Sequence, residues 1–181
     1  MPVRTVLQQA DITRALTRIS HEILESNRGA SDLVLLGIPT RGVHLARRLS
    51  EQLQEISGVA VPAGALDVTM YRDDLSRGRT RTPSPTQLPT GGIDGATVVL
   101  VDDVLYSGRT IRAALDALND VGRPGIVRLA VLIDRGHREL PIRPDFIGKN
   151  LPSSHDERVN VSLTEVDGED SITIEDRGER A

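Results

Sequence analysis

The stretch Val98–Thr110 decides the fold, and it reads Val-Val-Leu-Val-Asp-Asp-Val-Leu-Tyr-Ser-Gly-Arg-Thr. Its first four residues are apolar and three of them are β-branched, which is typical of a buried parallel strand. The acidic pair Asp102 and Asp103 follows, and then a loop of small and hydroxyl residues, Tyr106–Thr110. Apolar residues recur at helical spacing from there to a stop at Gly122. The pattern predicts strand Val98–Val101, the acidic pair, a loop and a helix.

This loop has the properties of a phosphate site. Free backbone N–H groups converge at a helix N-terminus, where the helix dipole adds about half a positive charge. Gly108 allows a close backbone approach, and Ser107 and Thr110 add hydroxyl donors. The carboxylates of Asp102 and Asp103 suit sugar hydroxyls or a hydrated Mg²⁺. Together these features predict a ribose 5-phosphate site; the alternative is a plain strand–turn–helix with a charged turn.

A second strand–loop–helix unit precedes the first. Leu33–Gly37 is a short apolar run, and Val43–Ile56 has helical periodicity. Between them lies Ile-Pro-Thr-Arg-Gly, in which Arg41 offers a planar fork of donors suited to diphosphate oxygens. Taken alone this loop is a weak signal that also fits a simple turn.

The remaining chain continues the alternation of strands and helices. Asp11–Arg28 is predicted to be an amphipathic helix with Asp11 as its N-cap, and residues 72–95 show no periodicity, which is typical of a lid or a disordered surface loop. The predicted strands are Leu66–Tyr71, Ile126–Asp134, Asp145–Gly148, Val159–Leu163 and Ser171–Glu175. The alternation predicts one α/β domain over residues 1–181, with a doubly wound parallel sheet and ligands at the carboxyl ends of its strands.

Composition narrows the classes of function. The chain has 181 residues, a formal net charge of −4 and no cysteine, which excludes disulfides, thiol catalysis and cysteine-ligated zinc. There is no run of 18 apolar residues and no apolar segment after Met1, so we expect neither a membrane span nor a signal peptide, and a cytoplasmic location. Any nucleic-acid role needs a local basic patch, because the whole chain is acidic.

Val98–Thr110 resembles the phosphoribosyl pyrophosphate (PRPP) signature of the type I phosphoribosyltransferases. Three further segments are similar to the PyrR family: Arg14–Glu22, Tyr71–Leu75 and Asp134–Asn150, the last reading Asp-Arg-Gly-His-Arg-Glu-Leu-Pro-Ile-Arg-Pro-Asp-Phe-Ile-Gly-Lys-Asn. The resemblance covers nearly the whole chain. It implies a single-domain type I phosphoribosyltransferase fold with a flexible lid loop over residues 72–95.

The resemblance also implies a reaction, uracil + PRPP giving UMP + diphosphate, with Mg²⁺ accompanying PRPP. The resemblance implies that Asp102 and Asp103 hold the ribose hydroxyls and are the candidate contacts for the metal, while Arg41 and Arg72 act on the diphosphate. The substrate-binding residues implied are Thr40, Arg41, Gly42, Arg72, Asp102, Asp103, Val104, Leu105, Tyr106, Ser107, Gly108, Arg109 and Thr110. Tyr106 stands where purine enzymes of the superfamily often carry an aspartate, which argues against a purine substrate.

Members of the PyrR family bind the control region of pyrimidine (pyr) biosynthetic mRNA when a uridine nucleotide is present, and they form homodimers or higher oligomers. The positions expected to contact RNA are Thr17, Arg18, His21, Arg28, Arg138, Arg143 and Lys149. The four on the first helix lie away from its apolar stripe, so an ordinary solvated face is the alternative. Two further alternatives remain open, a salvage enzyme without an RNA role and a regulator with little turnover.

Overall fold

The computed structural model describes residues 2–72 and 85–178 of the chain. Its strands are β1 (Val3–Gln8), β2 (Leu33–Gly37), β3 (Ala63–Ala65), β4 (Thr97–Leu105), β5 (Ile126–Asp134), β6 (Phe146–Asn150), β7 (Glu157–Ser162) and β8 (Ser171–Asp176). Its helices are α1 (Gln9–Asn27), α2 (Arg41–Ser57), α3 (Arg109–Val121) and α4 (Thr164–Asp167), with a 3-10 turn at Thr69–Tyr71.

The centre of the molecule is a five-stranded parallel sheet in the order β3-β2-β4-β5-β6. Alternate residues of β4 face opposite cores: Val99 and Val101 pack with α1 and α2, whereas Val98 and Leu100 pack with α3. Both faces are therefore covered by helices, and β4 is apolar without alternation for that reason. The predicted doubly wound parallel sheet is confirmed.

A second sheet has three antiparallel strands in the order β1-β8-β7, which sequence patterning only half anticipated. β7 and β8 were expected as short late strands, but β1 was not expected at all. Val3 to Thr5 are exposed, so β1 lacks the apolar alternation that predicts a strand. Its pairing with β8, from the other end of the chain, forms it instead.

The helices begin slightly earlier than expected. α1 starts at Gln9 rather than after Asp11, because the Gln8 backbone N–H donates to Asp11 Oδ2 at 2.9 Å and places that carboxylate in the first turn. At the other end Gly29 N–H donates to the Leu24 carbonyl at 2.9 Å, which closes the helix as predicted. α3 ends before Gly122, also as predicted.

The predicted strand Leu66–Tyr71 is wrong. Leu66 and Val68 are buried and mimic strand alternation, but Asp67 Oδ1 accepts hydrogen bonds from the backbone and hydroxyl of Thr69 at 3.0 and 2.6 Å. That side chain turns the backbone into the 3-10 turn, and the true strand β3 lies just before it. Of the predicted lid over residues 72–95, residues 73–84 lie outside the described part, and residues 85–95 contribute one isolated bridge, Ala65 to Gln87.

Within the described residues, no helix is both long enough and apolar enough to cross a membrane.

Candidate active site

The two anion loops meet because their strands are neighbours. β2 and β4 pair in parallel with Gly37 opposite Val101, and Ile38 N–H donates to the Val101 carbonyl at 2.9 Å. Gly42, at the start of α2, packs so closely on β4 that a Cβ there would collide with the same carbonyl. The loop of Thr40 and Arg41 is thereby held beside Asp102 and Asp103 at the carboxyl edge of the sheet.

Two joined cavities occupy this edge. The larger, of about 420 Å³, is lined by Ile38, Pro39, Thr40, Arg41, Arg72, Asp102, Asp103, Val104 and Thr110. The smaller, of about 180 Å³, is lined by Arg72, Asp102 and residues Val104 to Ile111. Every substrate-binding residue predicted from the sequence lines one of these cavities except Gly42, which packs against the backbone of β4.

The acidic pair lies within β4 and not beyond its end. The strand continues to Leu105, so the predicted boundary at Val101 was too early. Asp102 is only 8% exposed, so one carboxylate of the pair is buried in the sheet, which its position after the predicted strand did not indicate. Burial and the neighbouring charge of Asp103 raise the pKa of Asp102 well above its ordinary value. A cation or a set of hydroxyl donors is the natural complement for two carboxylates held this close.

The phosphate loop is braced by the segment that follows β5. Ser107 carbonyl accepts hydrogen bonds from the backbone N–H of Glu139 and Leu140, at 2.9 and 3.2 Å. Gly108 is buried with φ of 93°, and a Cβ there would just contact Ile142 and Leu140. The loop's shape is thus fixed by backbone bonds and apolar packing, and α3 begins directly after it at Arg109.

Arg41 has a partner that the sequence did not reveal. Its Nε and Nη2 donate to Asp167 Oδ2 and Oδ1 at 3.1 and 2.8 Å, a two-pronged ion pair. The hydrogen bonds that Arg41 donates to Asp167 raise the pKa of Arg41 and lower the pKa of Asp167. No local signal marks Asp167, because the two residues are 126 positions apart and meet only through the fold.

A third cavity, of about 350 Å³, lies on the other side of Tyr106. It is lined by Asp134, Arg135, Gly136, His137, Asn150, Pro152 and Ser153. Beside it the Arg135 guanidinium stacks on the Tyr106 ring at 4.3 Å, and it is anchored by Nε donating to Ser153 Oγ at 2.9 Å. Tyr106 itself lines the smaller joined cavity, and its ring contacts Arg135 in the wall of the third cavity, so the two cavities are neighbours.

Two histidines extend the wall of the third cavity. Tyr106 hydroxyl lies 3.4 Å from His155 Nδ1, His155 Nε2 lies 3.0 Å from His137 Nδ1, and His137 Nε2 contacts the Ser153 carbonyl. Because a carbonyl only accepts, His137 carries its proton on Nε2 and accepts at Nδ1 when neutral. Neither His137 nor His155 was among the site residues that the sequence predicted.

The predicted RNA-contact residues fall into two groups. Thr17, Arg18 and His21 are exposed on α1, and Arg28 is exposed directly after the last residue of that helix. α1 packs beside β6, on which Lys149 is exposed. Arg18 spans the two elements, because its Nη2 donates to the carbonyls of Ile147 and Gly148 at 2.7 and 2.5 Å. The α1 face and the β6 edge therefore form one continuous surface.

Arg138 and Arg143 lie apart from that surface, in the segment that braces the phosphate loop. Arg138 donates to Asp134 Oδ2 at 2.6 Å, the Tyr106 carbonyl at 3.0 Å and the Ile142 carbonyl at 2.8 Å, so its guanidinium holds its own loop together. Burial alone would raise the pKa of Asp134, but the hydrogen bonds that it accepts from Arg138 and from the Gly136 backbone N–H outweigh burial and lower that pKa. Arg143 is exposed nearby.

The comparisons with known proteins agree with this geometry. Residues 2–165 match the model of the phosphoribosyl transferase domain. A protein of Leifsonia xyli named bifunctional protein PyrR is 70% identical to this chain, covering 98% of it and 100% of that protein. The chain belongs to the PyrR family of phosphoribosyltransferases. The PyrR protein of Streptomyces coelicolor is 63% identical, over 94% of this chain and 89% of its own length.

More distant PyrR relatives and solved structures extend the same conclusion. The PyrR protein of Halalkalibacterium halodurans is 54% identical over 96% of this chain and 98% of its own. The hypoxanthine phosphoribosyltransferase of Trypanosoma cruzi superposes with a TM-score of 0.72 over 94% of this chain and 95% of that one, at 18% identity. At that identity the likeness concerns the fold, and it confirms the predicted type I phosphoribosyltransferase fold.

Proposed function

We propose that this protein converts uracil and PRPP into UMP and diphosphate, and that it binds the control region of pyr mRNA when UMP is present. The observation that carries the enzymatic half is the pair of joined cavities around Asp102 and Asp103. They bring a phosphate loop, an acidic pair and two arginines to one edge of the sheet. The names of the relatives, bifunctional protein PyrR, support both halves.

Catalysis in this site is mainly positioning and charge stabilisation. Loss of diphosphate from PRPP leaves positive charge on the ribose ring, and negative charge builds on the departing oxygens. Asp102 and Asp103 are proposed to hold the ribose hydroxyls, and Ser107, Gly108 and Thr110 the 5-phosphate. Arg41 and Arg72, which line the larger cavity, are proposed to take the charge that develops on the diphosphate.

The donor set fits Mg²⁺. Two adjacent carboxylates, one buried and with a raised pKa, are hard oxygen ligands that gain from a cation beside them. We propose that Asp102 and Asp103 hold the ion together with PRPP, where it would supply charge neutralisation for the diphosphate. The residues around it orient PRPP and exclude water.

The acidic pair provides the first test. Asp102→Asn with Asp103→Asn should remove most uracil phosphoribosyltransferase activity, because each lost contact to a charged group costs about 1.5–3 kcal/mol. Asparagine keeps the shape of aspartate, so circular dichroism should be unchanged. Glu51→Gln, an exposed carboxylate on α2 that lines neither cavity, is the matched control. A folded double variant with wild-type turnover would contradict the site assignment.

Base choice separates this enzyme from a purine salvage enzyme. Tyr106 lines the smaller cavity and stacks against Arg135 of the third cavity, and it presents a phenol where purine enzymes of the superfamily often carry an aspartate. We propose that the third cavity takes uracil, with Asp134 to His137 and Asn150 around the ring. Uracil should give nucleotide from PRPP and hypoxanthine should give none. Comparable turnover with hypoxanthine would favour the salvage alternative.

The RNA half of the proposal rests on the surface formed by α1 and the β6 edge. Thr17, Arg18, His21 and Arg28 are exposed there on a protein of net charge −4, and Lys149 adjoins them. Arginine suits this task because it pairs with phosphate and stacks on unpaired bases. A homodimer would join two such surfaces, and Arg138 and Arg143 complete the proposed set of RNA contacts.

We propose that UMP affects this surface through β6. It would occupy the cavity lined by Asp134 and Asn150, and Asn150 ends the strand whose carbonyls Arg18 holds. Ordering of that segment by UMP is proposed to strengthen RNA binding, a coupling typically worth about 1–3 kcal/mol.

Filter binding of a pyr leader RNA, with and without UMP, tests this half. Arg18→Ala, His21→Ala and Arg143→Ala should each weaken binding at fixed salt and leave uracil turnover nearly intact. His21→Ala is the cleanest of the three, because Arg18 also braces β6. Arg47→Ala, an exposed arginine on α2, is the control for charge removal alone. Affinity should also fall steeply as salt rises.

Two results would overturn the RNA proposal. If the three variants bind as tightly as wild type, the α1 face is an ordinary solvated face. If wild type binds no leader RNA with UMP present, the protein is an enzyme only. Tight RNA binding with negligible uracil turnover would instead favour a regulator that uses the nucleotide site as a sensor.

A further inference from the structure

Arg41 is held from outside the cavity that it lines. The cavity wall contains Arg41, while its ion-pair partner Asp167 lies in α4, between β7 and β8 of the small antiparallel sheet. The side chains of the two residues are 32% and 24% exposed. An isolated surface ion pair of this kind usually contributes little to stability. Its main effect is therefore expected on the orientation of the Arg41 side chain.

Asp167 pairs with one edge of the Arg41 guanidinium and leaves the other edge available for a ligand. Asp167 accepts the Nε–H and one Nη2–H of Arg41, and Nη1 donates to no acceptor among residues 2–72 and 85–178. The remaining N–H groups form a second fork that suits phosphate oxygens. Asp167 therefore does not block the binding edge that a diphosphate would use.

Asp167 is itself fixed. The backbone N–H of Leu163, a fully buried residue, donates to Asp167 Oδ2 at 2.8 Å. Gly168 N–H donates to the Thr164 carbonyl at 3.2 Å and closes the turn that carries the carboxylate. A flexible arginine side chain thus meets an anchored carboxylate, which limits the conformations available to the arginine before any ligand arrives.

We propose that Asp167 is a positioning residue for PRPP, which directs the free fork of Arg41 toward the diphosphate. The inference rests on the proposed role of Arg41 at the diphosphate and deepens it. Without Asp167, PRPP would have to order the Arg41 side chain itself, and the lost conformational entropy would weaken PRPP binding. The small antiparallel sheet then contributes to PRPP binding although none of its strands lines the larger cavity.

Neighbouring residues provide a matched control. Glu165, two positions before Asp167, forms a somewhat shorter two-pronged pair with Arg48, whose Nε and Nη2 donate to it at 2.8 and 2.6 Å. Arg48 is on α2 like Arg41, but it lines neither of the joined cavities. Glu165→Gln therefore removes a similar ion pair from the same turn without touching the diphosphate side.

The test uses the full chain with Mg²⁺ and PRPP. In Asp167→Asn the KM and the calorimetric Kd for PRPP should rise about 5- to 20-fold, with the KM for uracil within about twofold of wild type. Asp167→Glu should restore part of the loss, and Glu165→Gln should change neither constant. In an Arg41→Ala background Asp167→Asn should have no further effect, because it acts through Arg41.

Unchanged PRPP binding in Asp167→Asn would make the pair merely structural, and tighter binding would mean that the carboxylate competes with diphosphate. Either result overturns the proposal. A rise in the KM for uracil equal to that for PRPP would also overturn it, as would the same loss in Glu165→Gln. Failure of wild type to bind PRPP would instead refute the proposed function itself.

Discussion

The protein builds the same local unit twice and supports each copy differently. β2, its loop and α2 form the first unit, and β4, its loop and α3 form the second. The first is braced by ion pairs from residues 165–170 to Arg41 and Arg48. The second is braced by backbone hydrogen bonds to Ser107 and by apolar contact with Gly108.

The difference follows what each loop has to present. The Tyr106–Thr110 loop presents backbone N–H groups, whose directions depend on backbone shape alone. The Thr40–Gly42 loop presents a long charged side chain, whose direction needs a charged partner. Backbone braces resist pH and salt, whereas ion-pair braces respond to both. The two units should therefore fail under different perturbations.

The largest expected effect is that of Gly42→Ala. A Cβ at Gly42 would collide with the backbone of β4, whereas at Gly108 it would only contact the side chains of Ile142 and Leu140. We expect Gly42→Ala to lower the free energy of unfolding by about 3 kcal/mol or more, and Gly108→Ala by about 1–2 kcal/mol from its positive φ. Urea denaturation measures both. Equal losses of unfolding free energy in the two variants would mean that both loops are packed equally closely.

Asp170→Asn should give the next largest change, and its size should depend on pH. Arg48 lowers the pKa of Asp170 from 3.8 to about 2, so the folded state favours the carboxylate. Its contribution is present above pH 3.8 and is lost as pH falls toward 2. We expect a loss of about 1–2 kcal/mol at pH 7. A deficit that stayed constant in denaturation curves down to pH 2.5 would contradict this assignment.

Asp102→Asn should raise stability while it lowers activity. The pKa of Asp102 is raised in the folded protein, so its ionisation destabilises the fold progressively as pH rises through that value. Asparagine cannot ionise, and the gain should be on the order of 1 kcal/mol, or about 2–4 °C in melting temperature. Thermal melts without PRPP at several pH values measure it. A variant less stable than wild type at pH 8 would show that the buried charge is already compensated.

Glu139→Gln should have the smallest effect. Arg109 and Glu139 pair at 3.2 Å, but their side chains are 43% and 55% exposed. Stability should change by about 0.5 kcal/mol or less, because the backbone bonds to Ser107 remain. A loss above about 1 kcal/mol would mean that this loop too depends on an ion pair.

Sequence reasoning succeeded where local pattern and fold agree. The predicted bounds of β2 and β5, Leu33–Gly37 and Ile126–Asp134, match the structure because both runs are mainly apolar, with Arg128 the one charged residue inside β5 before Asp134 ends it. The phosphate loop was predictable because strand, loop and helix N-terminus are contiguous in the chain.

It failed where distant segments meet. β1 has no apolar pattern of its own, and Asp167 is an unremarkable acidic residue until the fold places it against Arg41. His155 likewise can be recognised as part of the site only when the fold has placed it beside His137 and Tyr106. Burial of Asp102 was missed for a different reason, since a charged residue in a strand is normally assigned to its exposed end.

The exposed Lys149 on β6 is the only lysine in the chain, and there is no cysteine. Apart from the α-amino group, the protein therefore carries a single primary amine. An amine-reactive fluorophore would label one known position, one residue from Asn150 at the third cavity and on the strand whose carbonyls Arg18 contacts. One dye at this place would report optically on both nucleotide and RNA, without any engineered residue.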